Sequence, residues 1–303
     1  LALYCSAEAH YSVTRAAEVL GIGGNNVRPI DIDSQRRLKP EALARAIEID
    51  RAAGVIPMAV VATAGTTLTG AVDPIGEIAD VCGDIWLHVD GAYGLPAAAT
   101  QSARSLFTGL DRADSISIDA HKWLFVPKAC SALLVKKPEL LARAFSHNEA
   151  YIPHEHGDTN AVDVTLEYSR PLRALKLWLA FKVHGAQGMR DAVEANLAQA
   201  KLLYTLAHTA PDFDVLESIP QLSTVPLRHI PQNISTADNS RINAHTADLQ
   251  LALVADGRIY ISPAQIDGNT WLRPCFTNFR TTNADVQVAF DVIREVSNAL
   301  ASA

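Results

Sequence analysis

Short apolar, β-branched runs alternate with helical stretches along the first half of the chain, and that alternation commits it to a largely parallel α/β sheet wrapped by helices. Residues 55–63, 85–89, 115–119 and 132–135 read as the strands. Between them, Lys39-Pro40 opens a helix through Ala53 that Gly54 closes, and Asp73-Pro74 starts another that reaches Val81, because proline suits a first helical turn. Residues 6–20 read as an earlier helix, with Val13, Ala17 and Leu20 at three- and four-residue spacing and His10 on the same stripe. Gly21-Ile22-Gly23-Gly24-Asn25-Asn26 follows that helix, not a strand, so it reads as a C-cap and turn instead of a nucleotide loop. Residues 172–184 form a strong helix, with Leu175, Trp178, Leu179 and Phe181 available to a core face and Gly185 at its end. The domain boundary is placed there: residues 1–184 form a large domain and 185–303 a small α+β C-terminal domain. Within the latter, residues 191–210 and 283–299 read as helices and 221–227, 251–254, 259–262 and 271–278 as strands.

Composition removes several function classes. A net charge of -7 with no basic run argues against a nucleic-acid surface. No apolar stretch approaches the ~20 residues needed to span a bilayer. Cys5, Cys82, Cys130 and Cys275 are scattered without a paired framework, which favours a reducing cytoplasm.

Two strand ends carry the chemistry. Ser115-Ile116-Ser117-Ile118-Asp119-Ala120-His121-Lys122-Trp123 is an alternating strand running into a lysine between a histidine and a tryptophan. A lysine there either snorkels to solvent or, desolvated, offers a free amine that condenses with an aldehyde such as pyridoxal phosphate. Ile85-Trp86-Leu87-His88-Val89-Asp90-Gly91-Ala92-Tyr93-Gly94 is an apolar strand ending in an acid and small residues. In open α/β sheets ligands bind outside the carboxyl ends of strands, so Asp90 points into a crevice where Gly91 and Ala92 let a flat ring approach the backbone. A carboxylate there suits a protonated pyridine nitrogen, a metal ion or a helix cap.

In order along the chain, Ala9-His10-Tyr11-Ser12, Ala62-Thr63-Ala64-Gly65-Thr66-Thr67, His-Val-Asp-Gly-Ala-Tyr and Asp-Ala-His-Lys-Trp resemble the pyridoxal-phosphate-dependent group II amino-acid decarboxylases. The likeness continues through Ser169-Arg170-Pro171-Leu172-Arg173 to Leu272-Arg273-Pro274-Cys275-Phe276-Thr277-Asn278. It implies the fold-type I transferase-like architecture, pyridoxal 5'-phosphate as cofactor, an L-amino acid as substrate and a homodimer with its site at the subunit interface. By the same resemblance Lys122 is the Schiff-base lysine and Asp90 the partner of the pyridine nitrogen. Ala92 lies beside the ring, His10 stacks on its face and orients the substrate carboxylate, and Thr67 and His121 line the cofactor.

Residues 146–158 are polar and lie between two helical patterns, so they read as a lid. Tyr151 there matches the family's catalytic-loop tyrosine, which returns a proton to Cα and favours simple decarboxylation over oxidative deamination. His147, His154, Glu155 and His156 lack the spacing of a helical zinc pair, and no metal is expected. The first recognisable element corresponds to the middle of the family's large domain, so the sequence reads as N-terminally truncated, without the usual phosphate-binding stretch. The Asp119-Ala120 form tilts the substrate toward aromatic amino acids, and Arg273 reads as structural. Another enzyme of the same fold, or a non-catalytic dimerisation partner, stays open.

Overall fold

The computed structural model describes residues 1–147 and 160–302. The first sheet begins at the amino end with β1 (Ala2–Ser6), buried along its whole length, a strand that the helix expected from residue 6 meets only at its last residue. The helix α1 (Ser12–Val19) starts six residues later, so His10 lies in the turn before it and not on its stripe. Leu20, expected on the inner face, is exposed. Gly21, at positive φ, ends α1 with the amides of Ile22 and Gly23 returning to the Ala17 carbonyl, the cap-and-turn expected of this glycine-rich stretch.

The chain then builds β2 (Val27–Ile30), α2 (Pro40–Ala52), β3 (Pro57–Thr63), α3 (Ile75–Cys82), β4 (Trp86–Asp90) and β5 (Ser115–Asp119). One helical turn, α4 (Ala120–Trp123), leads on toward β6 (Ser131–Val135) and α5 (Glu139–Phe145). The order across the sheet is β2-β1-β3-β4-β5-β6, parallel throughout except for β6, which runs antiparallel at the edge. Helix α3 shows why the helices pack where they do. Ile75, Ile78, Ala79 and Cys82 repeat at three- and four-residue spacing and are all buried; each fully buried isoleucine contributes about 1.5–3 kcal/mol.

Further along the chain, α6 (Ala174–Thr209) is broken at Gly185, whose φ of 68° and ψ of 170° interrupt an otherwise continuous helix. The expected stop is therefore a kink. The apolar face before it is not packed inward: Trp178 is 56% exposed, and Leu175, Leu179 and Phe181 are exposed as well. Next come β7 (Phe213–Val215), β8 (Leu227–His229), α7 (Asn239–Asp256), β9 (Ser262–Ile266), β10 (Asn269–Arg273) and α8 (Asn283–Ser302). The second sheet is antiparallel, in the order β7-β8-β10-β9. It has its own core, in which Leu203 and Ala207 of α6, Leu249 and Leu253 of α7, and Phe290 and Ile293 of α8 meet Leu227 and Leu272.

Three strand expectations fail here. Residues 259–261 carry no strand, since β9 starts only at Ser262. Residues 251–254 belong to α7, which buries Ile242, His245, Thr246, Leu249 and Leu253 and leaves Leu251 and Val254 outside. The helical period is carried by residues of mixed polarity, so an apolar run on the outer face imitates a strand. In residues 221–227 only Thr224 bridges, to Cys275, and the strand proper begins at Leu227, just after Pro226, which has no amide to give a ladder.

Candidate active site

The carboxyl ends of β3, β4 and β5 open onto one cavity of about 450 Å³. Alternation along each strand decides what faces it. On β4, Leu87 and Val89 are buried in the core while His88 and Asp90 line the cavity. On the neighbouring strands Thr63 and Ser117 stand in register with Asp90 and line it too.

Asp90 is held firmly on one side. Its Oδ1 accepts from the Ala92 amide at 3.1 Å and from Ser117 Oγ at 3.3 Å. Behind it, Trp86 Nε1 donates to Ser115 Oγ, which also shares a hydrogen bond with His88 Nδ1 at 2.8 Å. Burial pushes His88 below the ordinary histidine range, so it stands neutral beside the carboxylate. Gly91 does not line the cavity. An added Cβ would come within 2.7 Å of Leu95 and 2.9 Å of the Ser117 carbonyl, so its role is close backbone packing and not room for a ring.

Lys122 enters from α4, which is pinned by Trp123. That indole is fully buried, stacks on Tyr93 with ring centroids 5.1 Å apart, and donates to Asn196 at 3.0 Å. Lys122 lines the cavity but is not desolvated as the sequence reading supposed: its side chain is 42% exposed and its Nζ lies 3.0 Å from Asp119 Oδ2. Burial would raise the Asp119 carboxyl, but hydrogen bonds from Ser131 and Lys122 hold it below the usual carboxylate range.

His10 and Thr67 reach the cavity from loops, and Ala92 from the turn after β4. The Ser12 amide donates to His10 Nδ1, which leaves the ring proton on Nε2 as a free donor. His121 is not among the residues lining the cavity; its Nδ1 engages the Cys130 backbone at 3.0 and 3.2 Å. Tyr151, His154, Glu155 and His156 lie outside the described residues. Thr63, Ser117, Asp119, Leu3 and Val61 also line the cavity and were not singled out from sequence. The period-two alternation of β3 and β5 was the available signal for Thr63 and Ser117.

An amine and a carboxylate in one cavity at parallel strand ends are the donor set for a ring that carries an aldehyde and a protonatable nitrogen, and the residues present fit that group. Residues 1–228 match the pyridoxal-dependent decarboxylase conserved domain. The chain belongs to that family. It is 34% identical over 290 residues to an aromatic-L-amino-acid decarboxylase of Bacillus atrophaeus, covering 94% of this chain and 60% of that one. An acidic amino acid decarboxylase of Bos taurus is 36% identical over 243 residues, 77% of this chain and 46% of that one. Among solved structures, Catharanthus roseus tryptophan decarboxylase in complex with L-tryptophan superposes with a TM-score of 0.88 at 28% identity, covering 98% of this chain and 62% of that one. The chain thus spans about 60% of the length of the curated aromatic decarboxylase it matches. The family's cofactor is pyridoxal phosphate, and the fold is the one expected, a mostly parallel sheet with helices plus a small antiparallel sheet.

Proposed function

We propose that the chain carries the cofactor site of a pyridoxal-phosphate-dependent enzyme that decarboxylates an L-amino acid, aromatic by preference, to the amine and carbon dioxide. The observation carrying this reading is that Lys122 and Asp90 line one cavity at the ends of adjacent parallel strands. When bound, the cofactor supplies an electron sink for the pair left at Cα as carbon dioxide departs.

The protein's own groups do the rest. Lys122 is the covalent anchor, and Asp119 holds its Nζ in place. Asp90, with Oδ1 tied down, keeps Oδ2 for the cofactor's ring nitrogen. His10, protonated at Nε2, donates to the substrate carboxylate, and the small Ala92 leaves space for the ring. Thr67 lines the cofactor. His121 supports the strand end that carries Lys122 through the Cys130 backbone. Tyr151 returns the proton to Cα. Leu3, Val13 and Val61 supply an apolar wall to the cavity. That favours an aromatic substrate.

A homodimer with the site at its interface is supported by the exposed apolar row of Leu175, Trp178, Leu179 and Phe181 on α6, which needs a partner surface. The kink at Gly185 supports a division into residues 1–184 and 185–303; further along the same helix Val193 still packs in the first core and the second begins at Ala200. Four free cysteines, three of them buried, favour the cytoplasm. No helix among the described residues is long and apolar enough to cross a membrane.

Borohydride reduction of the protein mixed with pyridoxal phosphate, followed by peptide mass mapping, tests the site: a pyridoxyl group is expected on Lys122 and disappears in Lys122→Ala. Label on another lysine, or none, overturns the assignment. A panel of aromatic and acidic L-amino acids, read by carbon dioxide and amine release, tests the substrate class.

A further inference from the structure

Thr63 closes β3 in register with Asp90, and Ser117 faces Asp90 from β5, so three polar side chains form one row across three parallel strands. All three line the cavity. Ser117 and Asp90 are hydrogen-bonded to each other, but Thr63 is not so placed. It is only 3% exposed, yet its Oγ1 has no hydrogen-bond partner among the described residues. Its backbone cannot relieve the hydroxyl, because the Thr63 amide already donates to Asp73 Oδ2 at 2.7 Å and its carbonyl accepts from the Asp73 amide at 2.9 Å. Among the described residues the other such atom, Trp271 Nε1, belongs to a residue packed near Leu68 and Leu216 and not lining this cavity. A buried hydroxyl left unmated destabilises a fold, and valine has the same shape without that penalty. The hydroxyl at this position therefore points to a ligand as its missing partner.

We infer that Thr63 is a further cofactor-binding residue, its hydroxyl hydrogen-bonding the group seated on Asp90, and that Ser117 is a positioning residue that fixes Asp90 Oδ1. This rests on the reading of the cavity as a pyridoxal phosphate site, and it predicts effects of opposite sign in the empty and filled protein. Without cofactor, Thr63→Val melts about 2 °C higher than wild type, because an unsatisfied polar atom is gone. With cofactor, its dissociation constant for pyridoxal phosphate, measured by fluorescence titration, rises about five- to tenfold, the loss of one hydrogen bond. Thr63→Ser restores binding to within about twofold of wild type. A merely structural threonine shifts melting and binding in the same direction.

Ser117→Ala is read spectroscopically. The pH midpoint of the bound cofactor's absorbance moves, since the carboxylate facing the ring nitrogen loses a donor; an unmoved midpoint overturns the role of Ser117. Binding by Thr63→Val within twofold of wild type overturns the role of Thr63 alone. Absence of saturable binding by the wild-type chain overturns the cofactor site itself, and the inference with it, so the wild-type control separates the two failures.

Discussion

At the scale of single residues, the chemistry concentrates on strand ends whose side chains have one acceptor or donor left over. Asp90 keeps one oxygen, His10 keeps one N–H and Thr63 keeps its hydroxyl. That Lys122 and Asp90 share one crevice was legible because both follow short apolar strands whose carboxyl ends open on the same side of the sheet, although the desolvation expected of the lysine is absent. Asp119 was not, since it was read only as part of the lysine's motif, and its ion pair appears only when one helical turn brings positions 119 and 122 onto one side. The prediction belonging to this scale concerns Tyr151. If it returns the proton to Cα, Tyr151→Phe lowers amine formation about 100-fold or more while leaving cofactor retention on Lys122 unchanged. Amine release followed alongside the cofactor's absorbance checks both halves, and undiminished amine production removes the tyrosine from the reaction.

Elements that look ordinary in sequence hold a polar device in the second core. His229 of β8, His245 of α7 and Ser297 of α8 are all buried. Ser297 Oγ lies 2.6 Å from His229 Nδ1 and 2.6 Å from His245 Nε2, and His229 Nε2 lies 3.1 Å from Asp212, itself clasped by Arg294. With both rings neutral the three contacts form one consistent chain: His245 donates to Ser297, Ser297 to His229 and His229 to Asp212. Burial pushes both imidazoles below their ordinary value, against the opposing pull of Asp212 on His229 and of Asp248 on His245. An unfolded chain's histidines take up protons near pH 6.5, whereas the folded pair resists. The folded state therefore binds fewer protons, and the stability held above that pH is lost as the pH falls below it. Urea midpoints taken from pH 7.5 to 5.5 are expected to decline, and His245→Gln flattens the decline. Ser297→Ala, which strands two ring nitrogens, costs about 1–3 kcal/mol at pH 7.5. This element was illegible for the same reason that residues 251–254 were misassigned: α7 buries His245 and Thr246 along its inner face, so hydrophobic periodicity points the wrong way. The strand Ala2–Ser6 was passed over for a different reason: it is short, and the helix expected from residue 6 took in its last residue.

Over the whole molecule, the alternation of strands and helices made the large sheet legible from sequence, including the cap at Gly21, the start of α2 and the limits of β5. What a single chain's sequence could not announce is which apolar face lacks an internal partner. The face of α6 before Gly185 was read as core and stands outside it. If a second copy covers that face, Trp178→Glu shifts the protein toward the monomer in sedimentation velocity, with secondary structure unchanged by circular dichroism. A sedimentation coefficient equal to wild type at all concentrations excludes this row from the subunit contact.

The shared face of His88 and Asp90, opposite Leu87 and Val89, makes fold and chemistry inseparable at β4. A single inserted residue anywhere in that strand would swing the acid into the hydrocarbon interior and turn valine toward the cofactor. Such a lesion cannot produce a well-folded but inert protein, because the misplaced charge would unravel the sheet first. Over generations, length changes should accordingly accumulate in the connections around β4, while the strand itself tolerates exchange of one side chain for another but not a change in the number of links.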